Sequence, residues 1–303
     1  MLNFKRLAKQ DKNKFNEVIK NHYYRNAESS FVSLYLWADE IDIQVAFGVY
    51  AMYLSFNDTA GKKAYLAPFI YDMDVDINKA FSELSSHMKA EGRAFCIKGV
   101  IKEVRDKIEK EIKTEHKFYE DRDNYDYIYK SEDLINLTGK KYNKKRNHLN
   151  YFLNHHAFEY KEYDLSLKAE CLRLVERWVA EKGEQEGLDN EINVLKKILK
   201  EYEDLGVKGA VIYVDGRIEA LTFGEALNKD TALIHIEKAN QNIRGLYPFI
   251  NQQFIKNEWS EYEFVNREED LGIEGLRKAK MSYYPHYLLE KYSCSVDGDC
   301  DGL

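Results

Sequence analysis

The sequence predicts an α/β protein with mixed sheets, built as two halves of like order. Three observations carry this. The chain has 303 residues, 44% of them hydrophobic and 14% aromatic, enough for two ordinary domains with real cores. β-prone runs alternate with segments of helical periodicity, and each half reads helix, β-hairpin, strand, helix, strand, helix, strand. Only three prolines occur, at 68, 248 and 285, so structure should be dense and loops short.

In the first half, a polar helix is expected near Gln10–His22. Two β-prone stretches follow, "IQVAFGVYAMYLSF" and "KAYLAPFIY", joined by the turn residues of "NDTAGKK". Phe81, Leu84 and Met88 give a helix over 77–91, with Gly92 as its stop. "AFCIKGV" reads as a strand, 101–116 as a helix with Val104, Ile108 and Ile112 on one side, and "YDYIYK" as the strand that closes the half. The boundary falls near 131–136, giving domains 1–135 and 136–303.

The second half opens with a helix whose apolar stripe is Tyr142, Leu149, Phe152 and Leu153. Two amphipathic helices follow, one with Leu167, Cys171, Leu174 and Trp178. The other carries Ile192, Leu195, Leu199 and Tyr202 and stops at Gly206. "GAVIYVDGRIEALTFGEAL" is a hairpin turned by Asp215-Gly216. "TALIHIEKA" is a strand, 244–257 a helix, "YEFVNRE" a strand, 274–284 helical, and "HYLLEKYS" one last strand.

Apolar runs such as "VYAMYL" are far short of the roughly 20 residues needed to cross a bilayer. The N-terminus has no apolar stretch with a small-residue cleavage site, so a cytoplasmic protein is expected. Cys96, Cys171, Cys294 and Cys300 show no zinc or redox spacing; free thiols are expected, with Cys294 and Cys300 in a mobile tail, and no metal.

Charge is unevenly placed. The formal net charge is −7, yet Lys140, Lys141, Lys144, Lys145 and Arg146 fall within seven positions, and no carboxylate occurs from Thr138 to Phe158. Helical spacing puts Arg146 inside the apolar stripe, where it needs an internal carboxylate or a bound anion. A solvated charged face is the plain alternative for the lysines. With Asn147, the cluster suits a tRNA acceptor stem, a phospholipid headgroup or the 3′-phosphate of coenzyme A.

The sharpest site signal is "IHIEKANQNIRGLYPFINQQF", residues 234–254. A strand enters a polar loop, then Arg244-Gly245, then a helix with Pro248 in its first turn. The helix start offers N–H groups and a positive dipole end to a phosphate, with Asn242 and Arg244 as added donors. A strand–helix turn that merely needs a glycine is the alternative.

This order resembles a GNAT-type N-acyltransferase, whose loop after the central strand holds the pyrophosphate of an acyl-coenzyme A. The family pattern there is Gln or Arg, two residues, Gly, one residue, then Gly or Ala. Here Gln241 and Gly245 are one residue further apart, and Tyr247 replaces the second small residue. "GKKYNKKRNHLNYFL", "ANQNIRGLYPFINQQF" and "VNREEDLGIEGLRKAKMSYYPHYLLEKY" also resemble, in order, a bacterial family related to the C-terminal domain of phosphatidylglycerol lysyltransferases. That resemblance implies two GNAT-like domains in tandem, as in Fem-type aminoacyltransferases that build peptidoglycan cross-bridges. It implies a donor held by Ile236, Glu237, Lys238, Asn242, Arg244, Gly245, Leu246, Tyr247 and Tyr283. Lys280 matches a lysine placed near the acceptor in Fem-type enzymes, Tyr283 and Tyr284 are candidate proton donors to a leaving group, and Arg277 shares a face with Lys280.

For a general base, strict alternation on "LIHIEKA" puts His235 and Glu237 on one face and Ile234 and Ile236 on the other. Glu219 and Glu225 come next. The catalytic set expected is thus Glu237, His235, Tyr283 and Lys280, with the acceptor near Lys280 and Tyr283. The leading expectation is acyl transfer from acyl-coenzyme A to an amine. The alternative is an aminoacyl-tRNA donor gripped by the basic helix, acting on a lipid or cell-wall acceptor, with peripheral contact to anionic lipid. A third reading, of another class, is a non-catalytic binder of an anionic ligand.

Overall fold

The computed structural model describes residues 1–20, 22–58, 60–72, 76–182 and 187–296, with the side chains of 181 and 182 excluded. Its chain divides into two compact units. Unit 1 comprises Met1–Asp126, Glu269–Ile273 and Leu289–Leu303; unit 2 comprises Tyr127–Glu268 and Glu274–Leu288. Sequence order predicts two contiguous halves meeting near 131–136. The observed units instead exchange strands, because hydrophobic pattern fixes that a segment is a strand but not which sheet it joins.

In unit 1, β1 (Lys5–Arg6), α1 (Lys12–Ile19) and α2 (Phe31–Trp37) precede β2 (Gln44–Phe47) and β3 (Ala51–Asn57). The expected second β-prone run is cut at Pro68 into β4 (Lys63–Tyr65) and β5 (Phe69–Ile70), since proline gives no ladder N–H. Then come α3 (Ile77–Ala90), β6 (Phe95–Ile101), α4 (Lys102–Glu111) and β7 (His116–Glu120). β1–β5 form one sheet; β6 and β7 flank a strand from the far end of the chain.

Unit 2 contains β8 (Asp126–Lys130), α5 (Ser131–Asn136), α6 (Asn143–His155), β9 (Phe158–Glu162), α7 (Lys168–Lys182) and α8 (Leu188–Leu205). It continues with β10 (Lys208–Val214), β11 (Arg217–Ala226), β12 (Thr231–Ala239), α9 (Leu246–Glu258), β13 (Phe264–Asn266), α10 (Glu274–Met281) and β14 (Tyr287–Leu289). The expected single last strand is two: β14 stays here, and β15 (Lys291–Val296) pairs with β6 and β7 in unit 1. Cys294 therefore lies buried in a strand rather than in a tail, and Cys171 is likewise a buried free thiol. Cys96 is disulfide-bonded, which corrects the expectation of free thiols. Cys300 lies outside the described residues.

The seven-stranded sheet of unit 2 runs β14-β8-β13-β12-β11-β10-β9. Its β12–β13 pair is parallel and short: Thr231, Ala232 and Leu233 face Phe264, Val265 and Asn266. Beyond Leu233 the register of β12 is given by β11 alone. One face of the sheet carries α9 with α5 and α6, the other α7 and α8.

A bulge interrupts β11–β12. Phe223 pairs with Ile236 and Gly224 with Ile234, leaving His235 extra. Ile234 joins Phe254 of α9 in one core cluster. Ile236 lies opposite Phe223, whose ring packs on Tyr163 and Tyr202 across the sheet. Strict alternation thus fails here: Ile234 and Ile236 take opposite faces.

Two devices hold the units' interiors. In unit 1 the ammonium of Lys291, 1% exposed, bonds Asp126 at 2.9 Å and Glu28 at 2.7 Å. Burial alone would depress its pKa, but the two carboxylates hold it above the usual lysine range. In unit 2 Gly245, at φ +91°, lies against α6; a methyl there would overlap the His148 carbonyl oxygen and reach 2.9 Å from Phe152 Cβ. The glycine is needed for helix packing and for its left-handed backbone.

Lys291→Met leaves the buried Asp126 and the partly buried Glu28 uncompensated and should cost about 3–5 kcal/mol in denaturant melts. Gly245→Ala should cost about 3 kcal/mol in the same assay, through overlap and backbone strain together.

Candidate functional site

Where β12 parts from β13, a polar cluster fills the gap within unit 2. Glu237 stands on the free stretch of β12 and Arg267 follows directly on β13. Arg267 Nη2 donates to Glu237 Oε1 at 2.9 Å, and Asn251 Nδ2 of α9 donates to Oε2 at 2.8 Å. Both oxygens of the carboxylate are engaged, so Glu237 first of all fixes Arg267.

Arg267 lies 4.9 Å from the centre of the Tyr283 ring, and the Lys145 ammonium lies 3.6 Å from the same centre. Two cations on one buried ring gain from its quadrupole but repel each other. Burial pushes Lys145 down to about 8, helped by the Arg267 charge and opposed by Glu237. The Tyr283 phenol is pushed above its usual range by burial, with Arg267 pulling the other way. Arg267 itself is held cationic by Glu237 against its burial. Among the described residues, Arg267 Nη1 and Asn251 Oδ1 are buried without a hydrogen-bond partner.

The rest of the expected catalytic set separates. His235 lies 3.3 Å from Glu225 through Nε2 and 3.3 Å from Glu268 through Nδ1. Burial alone would lower its pKa, but the two carboxylates raise it to about 9. The carboxylates on either side of the ring favour its protonated form. Lys280 is buried and its ammonium donates to the Arg267 carbonyl at 2.6 Å. Tyr129 donates to the Lys280 carbonyl at 2.8 Å and Tyr142 to the Tyr283 carbonyl at 2.9 Å. Lys280 therefore supports the cluster through the Arg267 backbone. Glu219 is spent on Asn240 and Arg177.

The expected donor-binding set does not converge either. Ile236 faces the α7–α8 side. Lys238 does too, over the Trp178 ring at 4.4 Å and paired with Glu191. Leu246 is wholly in the core, and Tyr247 packs against it. In the loop before α9, the N–H groups of Asn242, Ile243 and Leu246 are taken by Asn240 Oδ1, the Asn240 carbonyl and the Ile243 carbonyl. Of the three N–H groups at Gly245–Tyr247, that of Leu246 is taken by the Ile243 carbonyl. Arg244 stacks on Tyr151 of α6, 4.4 Å from the ring centre.

The basic segment splits by function. Arg146 donates to the carbonyls of Leu137 and Gly139 and to Asn143 Oδ1. Its partners are thus backbone carbonyls just after α5 and the Asn143 side chain. Lys141 is 3.9 Å from Asp133 and lies over Tyr142 and Tyr284. Lys140, Lys144 and Asn147 are exposed, and Arg277 is half-buried on α10. One face of α6 carries Lys144, Lys145, His148, Tyr151 and His155, with Arg244 alongside. His148 is held below its usual pKa by partial burial, then by Arg244, Lys145 and Lys144. Tyr151 stacks on His155 with centres 4.1 Å apart.

Arg267, Asn251, Tyr129 and the His148–Tyr151–His155 face do not stand out in the sequence. Arg267 and Asn251 do lie inside the motifs "VNREED" and "FINQQF". Nothing local marks them, because only the parting of two strands brings them together.

With this geometry in hand, comparison with known proteins is informative. The solved structure of a conserved protein of unknown function from Bacteroides thetaiotaomicron matches at 36% identity, covering 98% of this chain and 100% of that one, with a TM-score of 0.90. L-PGS from Bacillus licheniformis shares the fold at 15% identity and TM-score 0.64, over 98% of this chain and 95% of that one. A tandem GNAT protein from the clavulanic acid biosynthesis pathway shares it at 8% identity and TM-score 0.52, over 99% and 100%. An uncharacterised protein of Mycoplasmoides gallisepticum is 24% identical over 179 residues, and the chain spans 56% of that relative's length. The fold is therefore GNAT-like and tandem, of the acyltransferase kind. Residues 21–295 match the model of the family described as phosphatidylglycerol lysyltransferase, C-terminal, and the chain belongs to that family.

Proposed function

We propose that this protein is an aminoacyltransferase whose donor is an aminoacyl-tRNA. The observation that carries the reading is the face of α6. It begins at the half-buried Lys145 and continues through His148 and Tyr151 to His155, a run of about 15 Å. Lys144 and Arg244 flank it. Cations beside stacked rings suit a single-stranded acceptor end, with phosphates on the cations and bases on the Arg244–Tyr151–His155 stack. The family to which the chain belongs supports aminoacyl transfer as the chemistry.

In this reading the acyl ester lies at the free stretch of β12, with its carbonyl toward Arg267. The acceptor hydroxyl or amine attacks that carbon, and Arg267 stabilises the negative charge that develops on oxygen. Lys145, when neutral, takes the acceptor's proton on Nζ. The carbon–oxygen bond to the terminal ribose then breaks, and the proton passes from Lys145 to the leaving oxygen. Glu237 keeps Arg267 in place throughout. A lipid or cell-wall acceptor is the class the family suggests.

An acyl-coenzyme A donor is the second reading, favoured by Arg244-Gly245 at the start of α9. Thermal unfolding separates the two: an aminoacyl-tRNA enzyme keeps its midpoint with coenzyme A and gains stability with tRNA.

Two outcomes test the donor reading. Lys144→Ala with Arg244→Ala should weaken tRNA binding about tenfold. The slope of log affinity against log salt should fall by about one for each phosphate that is no longer held, read by filter binding across a salt series. Transfer should also rise with pH, about tenfold per unit below pH 8, and level off above it as Lys145 loses its proton. Lys145→Arg keeps the charge but should abolish this rise. A flat wild-type pH profile would remove Lys145 from the chemistry.

A further inference from the structure

Asn251 has one feature that neither stability nor the proposed chemistry uses. It is 1% exposed and sits on α9 facing Glu237. A carboxylate only accepts hydrogen bonds, so the contact to Glu237 must come from Nδ2. That fixes the amide and leaves Oδ1 as an acceptor, buried without a partner among the described residues. Arg267 Nη1 is the complementary case, a buried donor without a partner. The two are tied to opposite oxygens of the same carboxylate, at 2.8 and 2.9 Å. One unmet acceptor and one unmet donor thus belong to the two side chains that Glu237 holds. The Glu237 and Arg267 side chains are themselves 11% and 12% exposed.

An aminoacyl ester offers the matching pair: a carbonyl that accepts and, one carbon away, an α-amine that donates. A plain acyl ester offers only the carbonyl. We infer that Asn251 is a specificity residue, its Oδ1 accepting a hydrogen bond from the donor's free α-amine while Arg267 Nη1 meets the carbonyl. The site then selects aminoacyl groups over plain or N-blocked acyl groups. A site built to hydrogen-bond a substrate group rejects analogues that lack it, because its own buried atom is left unpaired. This inference rests on the donor reading above.

The test compares lysyl-tRNA, its Nα-acetylated form and uncharged tRNA as probes for wild-type protein and Asn251→Leu. Wild type should prefer lysyl-tRNA over the acetylated form about tenfold. Asn251→Leu should bring that ratio close to one. A third charged probe, lysyl-tRNA with hydrogen in place of the α-amine, should bind wild type as weakly as the acetylated form, which tests the contact on the wild-type protein should the leucine variant not fold. If wild type binds the charged forms equally, or Asn251→Leu keeps the preference, Oδ1 is satisfied by water alone and the inference is overturned. If none of the tRNA probes binds, the donor reading itself fails, an outcome distinct from equal binding.

Discussion

The Arg267–Glu237 ion pair spans the gap left where β12 and β13 part after three paired residues. Parallel strands that diverge expose backbone groups and leave a wedge of space between them. Here a carboxylate from one strand meets a guanidinium from the end of the other. Asn251 braces the carboxylate, and the buried Tyr283 ring carries the guanidinium. Each charge is buried at a cost that only its partner offsets. The surrounding architecture supports this pair: Lys280 bonds the Arg267 carbonyl, and Tyr129 bonds the Lys280 carbonyl.

The second constraint is the close approach of α6 to the start of α9. Gly245 lets the His148 carbonyl come near, and this brings Arg244 onto Tyr151 and Lys145 onto Tyr283. The packing of α6 on the start of α9 thus itself requires a glycine at 245. The same approach buries Lys145 and part of His148 and sets cations beside them, so both are held below their usual pKa values, first by burial and then by neighbouring positive charge.

Much of the fold is legible in the sequence, because periodicity marks elements well. The helices over 77–90, 188–205 and 246–258 and the strands of the β10–β11 hairpin follow from their apolar spacing and turn residues. What pattern cannot express is partnership. β8 and β15 each join the sheet of the other half, and no local signal announces it. The bulge at His235 is similarly silent, yet it shifts the face of every later residue on β12. Among site residues, Glu237, Tyr283 and Lys145 can be named from sequence, but Lys145 only as one of a basic run. Its distinction from Lys144 is burial against a tyrosine more than a hundred positions away, which is a tertiary fact. Arg267 and Asn251 stay hidden for the same reason.

The most direct measurement is a crystal structure with a short RNA acceptor end bearing an aminoacyl group through a stable amide at its terminal ribose. The account predicts the acyl carbon beside Arg267 and Lys145 at the free stretch of β12, with the preceding phosphates and bases running along the His148–His155 face of α6. Density for the acyl group elsewhere, or failure of the RNA to bind while coenzyme A occupies the start of α9, would contradict it.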